Sequence, residues 1–259
     1  MILIADMGNT NVTFAGYGEE GKAFEVRLES DRTMDKETFL SCLAEKLEDA
    51  GFSADPASDT FEGACLCSVV PELDETILYL LEKVTGKPAV FLSKEGNLNG
   101  TDFIGNEVNE LGNDLLAGGV GAYARYPMPA IVADLGTATT LTAQDADGHI
   151  LGVSICPGVV TGLKALAGGA SNLFSVALSA PPHAIGVDTI QSLQSGIVLG
   201  AAAMMDGLAK RMAAEMEGDV TYVMTGGLGT VIAPYCEIPF IQDPDLVLRG
   251  IYEYYKLNK

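Results

Sequence analysis

The sequence predicts an α/β protein built of two duplicated lobes, each a mixed β-sheet flanked by helices. Three observations carry this. Apolar runs of strand length alternate with stretches of helical period. A strand, an Asp-x-Gly turn with threonine close behind, and a second strand occur at Asp6 and again at Asp134, 128 residues apart and about half the chain. Of the 259 residues, 48% are hydrophobic and 19% charged, a composition that supports a large packed core.

The elements follow in order. Met1 to Ala5 and Val12 to Gly16 are apolar runs around a polar, Gly-containing turn, hence two strands of a hairpin. Met34 to Ala50 places Phe39, Leu40, Leu43 and Leu47 on one helical face among charged residues. Ala64 to Val70 is a buried strand stopped by Pro71. Asp74 to Val84 is helical, Ala89 to Leu92 is a strand, and Leu115 to Arg125 is a helix of small residues. Ala130 to Ala133 opens the second half. Leu141 to Ala143 leads outward, Asp147-Gly148 turns, and His149 to Ser154 returns. Ile190 to Met216 reads as one or two helices. Its small residues from Gly196 to Ala203 suit either a packing or dimer surface or an intramolecular core helix. Val220 to Met224 is a strand ending at Thr225-Gly226-Gly227, and the tail around Ile251 to Tyr255 is a terminal helix. The lobes are expected at 1–115 and 116–259.

Thirty-five acidic residues against 15 basic ones leave a net charge of −20. Such a surface repels phosphate backbones and anionic lipid, so neither nucleic acid nor membrane is expected as a partner. Cys42, Cys65, Cys67, Cys156 and Cys236 are too scattered for a disulfide framework, and read as reduced thiols rather than zinc ligands. No signal-peptide pattern or spanning segment is read, so the expected location is cytoplasmic.

The turns suggest chemistry. Backbone N–H groups and hydroxyls in a Gly-rich concavity bind phosphate oxygens without a cationic side chain. Gly8 and Gly136 allow close approach, and Asn9, Thr10, Thr137, Thr139 and Thr140 can donate. Asp6 and Asp134 then require a cation between carboxylate and phosphate, for which Mg²⁺ is suited. The G-x-x-x-x-G-K-[ST] motif is absent. No Lys or Arg lies between Asp6 and Lys22, or between Asp134 and Lys164, so both turns are expected to rely on amides, hydroxyls and metal. Asp114, in Leu111-Gly112-Asn113-Asp114, suits either a base that deprotonates an acceptor hydroxyl or a helix N-cap. His149 and His183 read as surface or turn residues without obvious partners.

Taken in order, Asp6-Met7-Gly8-Asn9-Thr10, Ser68-Val69-Val70-Pro71, Asp134 to Thr140, Pro157-Gly158, Gly186-Val187-Asp188-Thr189 with Ser195-Gly196, Thr225-Gly226-Gly227 and Asp243-Pro244-x-Leu246-x-Leu248-x-Gly250 resemble the type III pantothenate kinases. These form a branch of the actin, sugar-kinase and heat-shock chaperone superfamily. The resemblance implies duplicated actin-like (ribonuclease H-like) lobes and ATP-dependent phosphorylation of pantothenate, the first step of coenzyme A biosynthesis. It also implies a homodimer that uses Mg²⁺ and a monovalent cation, K⁺ or NH₄⁺. By position it implies that Asp6, Met7, Gly8, Asn9, Thr10, Asn11, Val12 and Thr13 hold ATP phosphates, with Asp6 also on Mg²⁺. Thr137 would contact ATP, Asp134 the monovalent cation, Asp114 would be the base, and Thr189 would touch the acceptor.

One motif departs from the family. Where its members have Gly-x-Asp-Arg, this chain has Gly112-Asn113-Asp114-Leu115. Gly105 stands where the family usually has a pantothenate-contacting Tyr, and Val108 where it has Pro. Leu115 cannot pair a carboxylate, a loss on the order of 1.5–3 kcal/mol for a charge-assisted contact. Three readings therefore stand: a pantothenate kinase with a rebuilt acceptor pocket; a kinase of the same fold with another hydroxyl acceptor; and a non-catalytic nucleotide-binding or transcriptional accessory relative.

Overall fold

Two five-stranded sheets share one strand order, once in each half of the chain. The computed structural model describes residues 1–103, 111–169 and 175–259. It divides into Met1–Arg125 with Asp245–Lys259, and Tyr126–Pro244.

In the first unit β1 (Ile2–Met7), β2 (Asn11–Gly18) and β3 (Gly21–Glu29) form an antiparallel meander. Helix α1 (Lys36–Asp49) follows, capped by Asp35, whose carboxylate accepts from the amides of Glu37 and Thr38. The chain returns as β4 (Gly63–Ser68), parallel to β1 on the side away from β2. Helix α2 (Pro71–Thr85) begins at Pro71, which needs no amide partner there. It leads to β5 (Val90–Phe91), and α3 (Asn113–Arg125) closes the run. The order β3-β2-β1-β4-β5 puts β1 and β4 inside the sheet. Leu3, Ala5 and Met7 pack with Phe39 and Leu43 of α1 and Ile77 and Leu81 of α2. The period of two along a strand then turns Ile4 and Asp6 to the other face.

The second unit repeats the plan. β6 (Ala130–Leu135), β7 (Ala138–Gln144) and β8 (Ile150–Pro157) form the meander. α4 (Val159–Gly169), α5 (Thr189–Gln194), a π-helical turn at Ser195–Leu199 and α6 (Gly200–Ala213) come next. β9 (Thr221–Thr225) is parallel to β6; α7 (Gly229–Ile232) and β10 (Ile241–Gln242) complete the order β10-β9-β6-β7-β8. Val198, Ala202, Met205 and Ala209 are buried with Ile131, Ala133 and Leu141, so this small-residue stripe packs inside its own unit. Asp206 is buried there too, and its carboxylate accepts from the amides of Glu237 (2.8 Å) and Ile238 (2.9 Å). At the β7–β8 hairpin tip His149 has a partner after all: its Nδ1 lies 3.2 Å from Asp145 Oδ2.

The tail, expected in the second lobe, returns to the first. Helix α8 (Leu246–Asn258) packs on α3, β1 and β4. Lys22 Nζ reaches Asp245 Oδ1 at 2.6 Å and fixes its start. Gly250 has no room for a Cβ against the Ala117 carbonyl, and a Cβ on Gly121 would meet the Leu246 carbonyl. The small residues of α3 therefore serve a close helix crossing, and α3 belongs with the first unit rather than opening the second. Among the described residues no helix is long and apolar enough to cross a membrane.

Candidate active site

Asp6 stands near the C-terminal end of β1, facing Thr13 on β2 and Cys67 on β4 in the strand register. The turn beyond it closes through the Gly8 amide, which donates to the Asn11 carbonyl at 3.0 Å. A Cβ on Gly8 would stand 3.2 Å from that oxygen, tight enough to disturb the turn. Ser30 braces the tip: its Oγ donates to the Gly8 carbonyl (2.6 Å) and its amide to the Thr10 carbonyl (3.0 Å). Met7 and Val12 are fully buried, so they can offer a ligand only main chain. Asn9, Thr10 and Asn11 are exposed. A cation reaches this turn, contrary to expectation: Arg32 Nη2 donates to Asn9 Oδ1 at 3.4 Å. Arg32 lies beyond β3, where inspection of the turn's own sequence does not find it.

Asp114 approaches the same strand ends from α3. Asn113 Nδ2 donates to the Ser68 carbonyl at 3.1 Å, tying the helix start to β4. Asp114 Oδ1 accepts from the next amide, that of Leu115, at 2.8 Å; Asp114 lies inside the helix, one residue past its start, and not at the cap position expected of it. Burial nevertheless pushes the carboxyl above the ordinary carboxylate range, against the pull of that amide. A Cβ at Gly112 would lie 2.5 Å from Asp114 Oδ1, so a side chain there would displace this carboxylate. Burial also drives the Cys67 thiol far above its usual range, reinforced by the charges of Asp6, Asp114, Cys65 and Asp74. The charges of Asp6, Asp74 and Asp114 are thus all felt at Cys67. Asp74 was not singled out from sequence, where an acid in the first turn of a helix reads as dipole complement. Its Oδ1 is buried and has no hydrogen-bond partner.

Next to Asp114 a cavity of about 420 Å³ opens, lined in part by Ser68, Ser93, Lys94, Glu95, Gly112 and Asn113. The size is that of a small-molecule site, commonly ~300–1,000 Å³. Leu115 follows at the helix start and is partly buried. Gly105 and Val108 lie outside the described residues.

The second unit builds its own cluster. Asp134 on β6 pairs with Thr140 on β7 and Thr225 on β9. Gly226 holds φ +86°, and a Cβ there would run into Asp134 Oδ1 and the Leu135 main chain. Gly158 presses equally closely on the Gly136 and Thr137 carbonyls, and Thr161 Oγ1 donates to the Thr137 carbonyl at 2.8 Å. Three turns remote in sequence are therefore brought together at one end of this sheet. Thr137 is exposed; Thr139 is buried and its Oγ1 has no hydrogen-bond partner. Thr189 opens α5 after the cap Asp188, exposed and in a different unit from Asp114.

Residues 2–211 match the family model described as type III pantothenate kinase. A type III pantothenate kinase of Thermomicrobium roseum is 34% identical over 262 residues, covering 99% of this chain and 97% of its own. One from Hyphomonas neptunium is 30% identical over the full length of both. Among solved structures, a Campylobacter jejuni protein named as a Baf family transcriptional activator is similar with a TM-score of 0.58 and 21% identity, covering 98% of this chain and 97% of its own. At that identity the likeness is one of fold.

Proposed function

The chain belongs to the type III pantothenate kinase family, a family of phosphotransferases, and we propose how its own residues carry out the phosphorylation of pantothenate by ATP. The carrying observation is the placement of Asp114: half-buried, with its proton affinity raised by desolvation, its charge felt at Cys67 together with that of Asp6, and beside a cavity of acceptor size. In this reading the acceptor hydroxyl attacks the γ-phosphorus and passes its proton to Asp114. The new O–P bond forms as the bond to the bridging oxygen breaks and ADP leaves. The turn from Asp6 to Thr13 holds the phosphates through its amides and hydroxyls, with Arg32 at its tip. Thr137 contacts the nucleotide and Thr189 the acceptor.

A divalent cation such as Mg²⁺ fits the first unit. The buried Oδ1 of Asp74 has no hydrogen-bond partner, the charges of Asp74 and Asp6 are both felt at Cys67, and hard carboxylate oxygens are the donors such an ion takes. Asp6 would hold it, with Asp74 as a second candidate donor. When bound, it neutralises charge on the phosphate oxygens. Asp134, enclosed by the Gly226 turn, would hold K⁺ or NH₄⁺. A homodimer would find exposed apolar side chains in Ile155, Ile185 and Val187 of the second unit, 71%, 83% and 81% exposed. Five free cysteines suit a reducing cytoplasm.

Incubation with ATP, Mg²⁺, K⁺ or NH₄⁺ and pantothenate should yield 4′-phosphopantothenate, detectable by mass spectrometry. Its absence would overturn the reading. Leu115 in place of the family's Arg favours one alternative, a different hydroxyl acceptor, which an acceptor panel read by ADP release would reveal.

A further inference from the structure

Pantothenate carries a carboxylate at one end and the reacting hydroxyl at the other. An anionic end entering a protein of net charge −20 needs a cation fixed where the substrate lies. The cavity beside Asp114 supplies one. Among the described residues that line it, Lys94 is the cation, on the loop after β5, while Gly112 and Asn113 line the part nearest Asp114. Ser68 and Ser93 add hydroxyl donors. Leu115, at the start of α3, contributes no charge.

The loop that carries Lys94 is held from α8. The Ser93 amide donates to Tyr254 Oη at 3.2 Å, and that hydroxyl lies 3.3 Å from the carbonyls of Phe91 and of Ser93. Asn258 closes the same loop, accepting from the Asn97 amide (2.8 Å) and donating to the Asn97 carbonyl (3.0 Å). Gly96 packs so closely on Tyr254 that a Cβ has no room. Lys94 therefore stands on a braced segment, as a specificity contact requires. Glu95 also lines the cavity; its carboxylate is engaged by its own amide and by Ser93, with Lys94 close enough to be felt.

We propose that Lys94 receives the carboxylate of pantothenate and so sets the preference for an anionic acceptor. This rests on the reading of the chain as a pantothenate kinase that uses this cavity. The test is steady-state kinetics on the full chain with pantothenate and with its uncharged analogue, in which a primary alcohol replaces the carboxylate. Lys94→Ala should raise KM for pantothenate about tenfold to a hundredfold. The effect should fall on that KM far more than on kcat, and KM for ATP should stay near wild type. The wild-type preference for pantothenate over the alcohol should largely vanish in Lys94→Ala, return in Lys94→Arg, and grow in Glu95→Gln. An unchanged preference in Lys94→Ala, with the wild-type enzyme active, would overturn this inference alone. Wild-type protein inactive on pantothenate would overturn the kinase reading and this inference with it.

Discussion

Asn113 Nδ2 donates to the carbonyl of Ser68 across 3.1 Å, so the first turn of α3 is anchored to the end of β4. Asp114 follows directly, and the period-2 alternation along β1 turns Asp6 to the sheet face away from α1 and α2. Helix start and strand end are thereby registered on each other, and the charges of these two carboxylates, far apart in sequence, are both felt at Cys67.

Cutting that anchor should misplace the proposed base, Asp114, without removing it. Asn113→Ala loses one hydrogen bond to a strand-end carbonyl, about 1 kcal/mol of stability. The loss of kcat should be larger in proportion, about tenfold, because a small displacement of a catalytic group is costly. Comparing the denaturation midpoint with kcat separates the two. Equal loss of both free energies would mean that the anchor serves stability only.

Asp114→Asn should abolish phosphoryl transfer and raise the melting temperature. Burial lifts the folded-state pKa of Asp114 above its unfolded value. The protonated form is thus favoured by folding, and that contribution is lost as pH rises through the folded pKa. At neutral pH the wild type holds a disfavoured charge that the amide lacks. The stability gap should narrow as pH falls below the folded pKa, and the acid limb of kcat/KM in the wild type should lie above the ordinary carboxylate range. Thermal scans across pH, paired with a pH–rate profile, check both signs.

Much of the fold could be read in advance because its strands are apolar runs and its helices keep period. The twin Asp-x-Gly turns at Asp6 and Asp134 located the duplication, and the two sheets match strand for strand. Helices α4 and α7 were not foreseen, and two unforeseen strands have mixed or minimal patterns. β3 is an edge strand with Lys22, Glu25 and Arg27 along it, and β10 spans only two residues. The site was half legible. Turn residues announce themselves by glycine and hydroxyl chemistry. Arg32, Asp74 and Lys94 do not, since each sits on an ordinary polar segment and gains meaning only from what the fold places beside it. The return of α8 was hidden for the same reason: the glycines that permit it, Gly121 and Gly250, are far apart in sequence.

Nucleotide affinity should depend more on the divalent ion than on Arg32. The turn offers amides, hydroxyls and the Asp6 carboxylate, with one exposed guanidinium at 3.4 Å from Asn9. Exposed single charges contribute little, up to about 1 kcal/mol, so Arg32→Ala should weaken ATP binding by no more than about fivefold. Chelation of Mg²⁺ should weaken it by more than about tenfold, since Asp6 then faces phosphate unshielded. Calorimetric titration of ATP with and without chelator decides the order. Binding indifferent to the chelator would remove Asp6 from the metal.

Two glycines on the α3–α8 pair should respond to alanine with opposite signs. At Gly250 a Cβ collides with the Ala117 carbonyl, and because that oxygen is main chain the helices must separate. Overpacking of this kind costs about 1–3 kcal/mol. At Gly118, one residue along α3 from Ala117, a Cβ meets nothing within 4 Å. There alanine gains helix propensity, up to about 1 kcal/mol relative to glycine. Urea midpoints should therefore fall for Gly250→Ala and rise for Gly118→Ala. Because α8 also holds the Ser93–Lys94 loop through Tyr254, Gly250→Ala should raise KM for pantothenate as well, whereas Gly118→Ala should leave it where it is. A Gly250→Ala protein with wild-type stability would show that the close crossing of α3 and α8 is not a constraint on this fold.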